Sequence, residues 1–222
     1  KEGELPDLPT NWEWVRLAEA LFEMKAGSSP KRPGHPAAPD AWGVLRTTAV
    51  QPLRYWQHEN KELPDKISPR EDHETKEGNL LITRAGPRDR VGVACFVDET
   101  RDKLMFSDKI IRCRSPFSSY LAVTVNGGFS ASYIDSKKSG MAESQMNISQ
   151  TNLRSTPIPL PPLAEQKRIV ETVDRLMDVC DQLADRLEEA QETGTAWCES
   201  ALVGVVKDAP ELKEKVRAQL ET

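Results

Sequence analysis

The stretch Pro157–Val170 reads P-I-P-L-P-P-L-A-E-Q-K-R-I-V, and it marks a change in the character of the chain. Four prolines within residues 157–162 fix φ and remove backbone donors, which excludes a helix or an inner β-strand there. Proline is favoured at the start of a helix, and none occurs between Pro162 and Pro210. The stretch therefore predicts a stiff extended connector, residues 157–162, that leads into a long helix. A plain interdomain linker is the alternative.

The segment after the connector has an apolar or small residue at alternating steps of four and three. This spacing is typical of a coiled-coil seam. We predict a helix over residues 163–206, about 65 Å long at ~1.5 Å per residue, whose seam packs against a second helix. The alternatives are a helix folded back on its own domain, or one broken at Gly194. The predicted seam consists of Ile169, Val173, Leu176, Cys180, Leu183, Leu187 and Ala190.

The charge of the 222 residues is divided unevenly along the chain. Residues 1–155 hold 22 Lys and Arg against 21 Asp and Glu, whereas residues 156–222 hold 8 against 14, and the net charge is −5. A non-specific polyanion binder would carry a strongly basic surface, so this class is excluded. A protein that reads DNA with one local basic patch is not excluded.

The cysteines form no C-x-x-C pair and have no nearby histidine, which argues against a metal site and against a disulfide framework. Unpaired cysteines favour a reduced, cytoplasmic setting. No apolar run reaches membrane-spanning length, and no signal peptide is recognisable. Because the chain begins with Lys1 rather than methionine, we expect a fragment of a longer protein. The four cysteines are Cys95, Cys113, Cys180 and Cys198.

Residues 1–156 carry short β-like runs separated by turns, which predicts an α+β domain with a curved, mostly antiparallel sheet and peripheral helices. The long coiled-coil helix follows it, and residues 207–222 form a tail. Residues 57–78 are charged and punctuated by proline, and we expect an exposed loop or insertion there, with a short helix at most. A helix over residues 130–140 is expected to end at Gly140. Strands are expected at residues 43–47, 79–83, 91–97, 104–106 and 109–113.

Catalytic signatures are missing from the sequence. No dinucleotide or phosphate loop and no nucleophile elbow occurs, and Gly127–Gly128 is interpreted as a turn. The histidines, His35, His58 and His73, lie in polar or proline-rich segments and are interpreted as exposed loop residues. The chain is therefore expected to recognise and position rather than to catalyse.

Five segments, taken in their order along the chain, resemble the specificity subunit of a type I restriction–modification system. The proline–Glu-Gln–helix segment is the most specific of them. The segments are L-P-T-N-W-E-W-V-R-L at Leu8–Leu17, G-S-S-P at Gly27, G-N-L-L-I-T-R-A-G at Gly78–Gly86, S-G-M-A-E-S-Q-M-N-I-S at Ser139–Ser149 and P-L-P-P-L-A-E-Q-K-R-I-V at Pro159–Val170.

The resemblance implies an arrangement. The family subunit has two target-recognition domains, each followed by a spacer helix, and the two helices pack antiparallel so that each domain reads one half of a split DNA sequence. Methyltransferase subunits, which bind S-adenosylmethionine, grip this frame, and nuclease subunits can join. This chain resembles the second half, without catalysis or a cofactor of its own; a natural half-subunit that dimerises is the other possibility. The family also implies a helix at Pro116–Asn126, where β-propensity favours a strand.

DNA readout needs Arg or Lys for guanine and Asn or Gln for adenine, with cations and hydroxyls on phosphates. Four segments offer these side chains on loops or strand ends. Trp42, Tyr55 and Trp56 suit either stacking on a flipped base or packing in the core. The candidate DNA-binding residues are Lys25, Ser28, Lys31 and Arg32 in the first segment, Arg46 and Thr47 in the second, Arg84, Arg88 and Arg90 in the third, and Lys137, Lys138 and Gln145 in the fourth.

Two rival functions stay open on the sequence alone. A protein-interaction adaptor that dimerises through its helix, without DNA contact, fits the acidic net charge. A fragment of a hydrolase or transferase whose site is completed by another chain is the second rival.

Overall fold

The computed structural model describes residues 5–29 and 34–208, with side chains as far as residue 200. Candidate residues Lys31 and Arg32, and most of the predicted tail, lie outside the described residues. The contacts divide the chain into two units, residues 1–170 and 171–222, so the boundary falls inside the long helix rather than at the proline run. The fold is α+β, as predicted, with antiparallel sheets and a long C-terminal helix.

The described strands are short, and the helices other than the last are shorter than three turns. Single 3-10 turns occur at Leu17–Ala20, Thr47–Ala49 and Glu71–His73. The helices are α1 (Ser118–Asn126), α2 (Gly128–Ser136), α3 (Gln150–Arg154) and α4 (Leu163–Asp208). The strands are β1 (Glu13–Arg16), β2 (Glu23–Ala26), β3 (Gly43–Leu45), β4 (Val50–Gln51), β5 (Arg54–Tyr55), β6 (Asn60–Glu62), β7 (Asn79–Thr83), β8 (Ala85–Gly86), β9 (Ala94–Phe96), β10 (Leu104–Met105), β11 (Ile110–Arg114), β12 (Ser139–Gly140), β13 (Met146–Asn147) and β14 (Pro157–Leu160).

An antiparallel sheet in the order β2-β11-β7-β9 forms the centre of the first unit. A second sheet, β10-β3-β6, contains the parallel pair β10–β3. Smaller sheets are β12-β13-β8, β4-β5 and β1-β14. Each of the five predicted strand regions contains a strand, and the sequence overestimated the length of most of them.

Strand β7 has core on both of its faces. Leu80 and Ile82 belong to one buried cluster, with Leu121 and Val125 of α1, whereas Leu81 belongs to a second cluster on the other side. Because successive side chains of a strand point to opposite faces, an unbroken apolar run such as N-L-L-I-T is what a strand buried on both faces requires.

Helix α1 forms where β-propensity favours a strand, so the expectation taken from the family is confirmed. Leu121, Ala122 and Val125 are spaced to share one helical face, and all three are buried. At the C-terminal end, the Asn126 side chain accepts from the Ala94 N–H (3.1 Å) and donates to the Ala94 carbonyl (2.7 Å). Tertiary contacts therefore outweigh the local propensity.

Two local expectations are wrong. Helix α2 ends at Ser136, and Gly140 lies in strand β12, where a Cβ would come within 2.3 Å of the Gln145 carbonyl oxygen. Gly128 has φ +59° and begins α2, so the glycine pair joins two helices. Residues 57–78 are not an exposed loop, because they contain β6, and Leu63 and Thr75 are buried.

The proline run forms strand β14, which pairs antiparallel with β1 and registers Val15 with Ile158. The Pro157 carbonyl accepts from Ser130 Oγ (2.6 Å), and the Pro159 carbonyl accepts from Tyr120 Oη (2.6 Å). The backbone polar atoms of both prolines thus point away from β1, so the missing N–H groups remove no bond between the strands. Residues 157–160 are therefore an integral edge strand of the first unit.

Helix α4 begins at Leu163, where the Pro162 carbonyl accepts from the N–H groups of Glu165 and Gln166. Gln166 is buried, and its Nε2 donates to the Pro161 carbonyl at 2.9 Å. Trp12 Nε1 donates to Glu165 Oε2 at 3.1 Å. The first turn is thus anchored to the preceding residues. The helix continues through Gly194 without a break to Asp208.

We expect Gly27→Ala to lower the free energy of unfolding of the first unit by about 1 to 3 kcal/mol, the typical cost of overpacking. A Cβ at residue 27 would lie 2.1 Å from the Phe106 carbonyl oxygen and 2.4 Å from that of Ser107. Urea denaturation measures the change. Gly194→Ala is the control, since nothing lies within 4 Å of a Cβ there and alanine favours the helix. Equal unfolding midpoints for the two variants would contradict the steric argument.

Candidate nucleic-acid interface

An open groove of about 540 Å³, here called the polar groove, lies where several strands of the first unit begin or end. Its hydroxyl groups and cations come from distant parts of the sequence, since they follow β2 and β3, lie on β6, or precede β11. Hydroxyls and cations of this kind suit phosphate and base-edge contacts. The lining residues are Ser29, Arg46, Thr47, Thr48, Glu59, Lys61, Ser107, Asp108 and Lys109.

Arg46 is held in place at the groove. Its guanidinium donates to the Gly34 carbonyl at 2.8 Å and lies 3.8 Å from the Glu59 carboxylate. The hydroxyl of Thr48 donates to the same carboxylate at 2.5 Å. Ser29 and Gly34, the residues on either side of the undescribed segment 30–33, are therefore both close to the groove. The first and second candidate segments thus meet here.

Arg90, predicted as a DNA contact, supports the groove from within. Its guanidinium donates to the carbonyl oxygens of Thr47 (2.9 Å) and Val50 (2.5 Å) and to Gln51 Oε1 (2.9 Å). The Arg90 carbonyl in turn accepts from Thr83 Oγ1. Because the guanidinium is used within the protein, it fixes the turn at residues 47–51.

Arg88 and Lys138 join the third and fourth candidate segments to each other. Arg88 lies 2.7 Å from Asp135 Oδ2, and Lys138 lies 3.0 Å from Asp135 Oδ1 and donates to the Arg88 carbonyl. Hydrogen bonds from Arg88 and Lys138 lower the pKa of the Asp135 carboxyl. The bond between Arg88 and Asp135 also raises the pKa of the Arg88 guanidinium. The largely buried Lys138 is thus a structural residue, whereas Arg88 remains partly exposed.

The other candidates differ in their availability. Arg84 has no side-chain partner among the described residues, and its backbone N–H donates to the Lys109 carbonyl at 2.8 Å, which places it beside the groove. Lys137 stacks on the Tyr133 ring, and Gln145 is exposed. Lys25 forms an ion pair with Asp72, and this bond lowers the pKa of the Asp72 carboxyl.

His73 is buried, so its interpretation as an exposed loop residue is wrong. Its ring contacts Phe106, with 5.3 Å between ring centroids, and Nδ1 lies 3.1 Å from the Ser28 hydroxyl. Burial lowers the pKa of His73 below 6.5. The neutral ring therefore supports the candidate residue Ser28 at the end of β2.

We expect stability to fall as the pH drops below about 6.5, because the unfolded chain then takes up a proton on His73 that the folded chain resists. The contribution of His73 to stability is fully present above the pKa of the unfolded chain. It is lost as the pH falls through the lower pKa of the folded protein. Urea midpoints measured between pH 7.5 and 5.5 test this, with His73→Gln as the comparison. The variant should show a flatter profile over this window, and an unchanged profile would contradict the prediction.

The three aromatic candidates lie in different environments. Trp42 packs beside Val44 and Met105, and Tyr55 packs beside the core, where burial raises the pKa of its hydroxyl. Trp56 is 43% exposed and stacks on His58. The core interpretation therefore describes Trp42 and Tyr55.

Among the groove residues that sequence reasoning missed are Lys61, Asp108 and Lys109. Lys61 was hidden in the segment interpreted as a loop, and it is paired in register with Val44 of β3. Asp108 and Lys109 directly precede the apolar start of β11, and a charged pair at a strand end was the available signal.

Five of the seven predicted seam residues of α4 are exposed. Leu176 is 56% exposed, Leu183 53% and Leu187 70%, and Cys180 and Ala190 are exposed too, whereas Ile169 and Val173 near the start of the helix are half-buried. None of the helices in the described part of the chain is long and apolar enough to cross a membrane.

The sequence of the chain is similar to a known protein family and to known proteins. Residues 103–192 match the family described as type I restriction modification DNA specificity domain. The chain is 50% identical over 192 residues to the specificity subunit of the type I restriction enzyme EcoEI from Escherichia coli, covering 84% of this chain and 32% of that subunit. The EcoKI specificity subunit from Escherichia coli strain K12 is 27% identical over 185 residues, covering 79% of this chain and 38% of that subunit.

Solved structures agree in fold. The HsdS subunit from Thermoanaerobacter tengcongensis is 20% identical with a TM-score of 0.52, covering 78% of this chain and 39% of that one. The S subunit from M. genitalium is 15% identical with a TM-score of 0.53, covering 81% and 43%. The resemblance inferred from the five sequence segments is confirmed. The chain spans about a third of the length of the curated relatives it matches, and it belongs to the specificity subunits of type I restriction–modification systems.

Proposed function

We propose that this chain reads one part of a bipartite DNA sequence and holds methyltransferase subunits in place, without catalysis of its own. The methyl donor, S-adenosylmethionine, is then bound by the methyltransferase partner. Nuclease subunits are further candidate partners.

The convergence of separate candidate segments at the polar groove carries this proposal. Ser29, Arg46 and Thr47 line it, and Arg90 fixes one of its walls. Lys61 and Lys109 add two cations that are unpaired among the described residues. A groove of hydroxyls and cations on supported turns offers the contacts that fix a protein on a phosphate backbone.

The exposed seam of α4 supports the scaffolding part of the proposal. An apolar heptad pattern on an exposed helix is explained by a partner helix, supplied either by another specificity segment or by a second copy of this chain. Pairing of two such helices would set the distance between two DNA-reading domains.

Salt-dependent binding of DNA by the assembled methyltransferase tests the proposal. We expect the complex to bind a duplex that carries a split sequence, with an affinity that falls steeply as the salt concentration rises. The adaptor alternative, favoured by the net charge of −5, predicts no such binding in any assembly. Methylated adenines in a split motif that disappears when the gene is deleted would independently support DNA reading.

A further inference from the structure

A tight turn directly before β11 presents two opposite charges at the polar groove. The Ile110 N–H donates to the Ser107 carbonyl at 2.9 Å, so Asp108 and Lys109 occupy the two central positions of the turn. Both side chains are exposed and line the groove.

This turn is fixed by its neighbours rather than free to adapt. The Gly27 N–H donates to the Ile110 carbonyl and the Ser28 N–H to the Phe106 carbonyl, each at 3.3 Å. The Asp108 N–H donates to Ser29 Oγ at 3.4 Å. Phe106 and Ile110, on either side of the turn, are fully buried. The backbone at Asp108 is therefore fixed before any ligand binds, which leaves only the short side chain to be ordered on binding.

The Asp108 carboxylate differs from the other carboxylate of the groove. Glu59 is engaged by Thr48 and Arg46, whereas Asp108 has no side-chain partner in residues 5–29 and 34–200. A free carboxylate on a surface that faces phosphates is unfavourable, because like charges repel. It becomes favourable where it accepts a hydrogen bond from a base.

The bases that offer an amine in the major groove are cytosine, at N4, and adenine, at N6. Adenine N6 lies beside the acceptor N7, which suits an amide and repels a carboxylate, because an ionised carboxylate only accepts. Cytosine N4 has the guanine O6 acceptor of its own base pair on one side but only C5–H on the other, so a carboxylate can approach it from the C5 side without meeting an acceptor. We propose that Asp108 is a specificity-determining residue that accepts a hydrogen bond from the N4 amine of a cytosine. The inference rests on the proposed function and names one base that the groove reads.

Selection from a randomised duplex library by the assembled methyltransferase complex tests the proposal. We compare the wild type with Asp108→Ala and Asp108→Asn. The wild type should require cytosine at one position, and Asp108→Ala should lose that preference by a factor of about 10 to 100. Asp108→Asn should shift the preference at the same position toward adenine, which an amide can read.

The matched control is Glu77→Gln. Glu77 is exposed and precedes β7 at the end of the strand opposite to the groove, because Thr83 is the residue of β7 that pairs with Ile110. Its removal should leave the selected sequence unchanged. Thermal unfolding midpoints equal to that of the wild type would verify that all variants are folded.

Three results would overturn the inference. In the first, the Asp108 variants bind every duplex more tightly by one common factor and keep the cytosine preference. The carboxylate would then only repel phosphates and would not read a base. A lost preference at an adenine would exclude cytosine as the base. A wild-type complex that selects no sequence at all would instead reject the proposed function, and the inference with it.

Discussion

On the proposed function, alanine at both Lys61 and Lys109 is expected to weaken DNA binding by the assembled methyltransferase by roughly 10- to 100-fold at physiological salt. Both side chains line the polar groove, and neither forms an ion pair within the described residues. Their charges are therefore available to phosphates, and each phosphate contact releases a condensed counterion. The slope of log affinity against log salt should shrink by about 2 when both contacts are lost.

Fluorescence anisotropy at several salt concentrations measures this slope. Arg114→Ala is a suitable control, because Arg114 is exposed at the far end of β11 while Lys109 precedes its near end. The control should keep the wild-type slope. A double variant that also keeps it would remove the groove from the DNA-binding surface.

If α4 pairs with a second helix as proposed, glutamate at both Leu176 and Leu183 should separate the two helices. Each leucine is more than half exposed in the isolated chain, so burial in a helix pair would contribute about 1.5–3 kcal/mol for each side chain. Placing carboxylates in that seam removes this contribution and adds a cost of desolvation. We therefore expect association to weaken by about two to four orders of magnitude.

Sedimentation velocity over a range of concentrations reports the association. Gln182→Glu adds the same charge as Leu183→Glu one residue away, on the outward face of the helix, and should leave association intact. If the seam variant assembles as well as this control, α4 uses another face for pairing.

The sequence predicted the parts of the fold that are coded locally. The apolar run of β7 and the proline-free heptad segment of α4 each carry their own signal, and both form as expected. Helix α1 does not, because its β-branched residues favour a strand and its helical form depends on contacts such as Asn126 with Ala94. The resemblance to a family supplied what the local pattern lacked.

For the candidate site, the sequence does not show which cations are engaged within the protein, because their partners lie far along the chain. Arg90 and Arg88 are of a residue type that often contacts DNA. In this protein Arg90 donates to Val50, 40 residues away, and Arg88 donates to Asp135, 47 residues away. The buried His73 likewise depends on Phe106, which follows it by more than thirty residues. Motif spacing carries no information about such pairings.

The prolines of β14 have a consequence for the solubility of the protein. On the side that faces away from β1, Pro157 and Pro159 offer no donor, and Ser130 and Tyr120 already occupy their acceptors. An incoming extended peptide would therefore find no N–H donor on either proline and two carbonyl oxygens that already accept a hydrogen bond. This edge of the β1–β14 pair is therefore protected from edge-to-edge association with another chain.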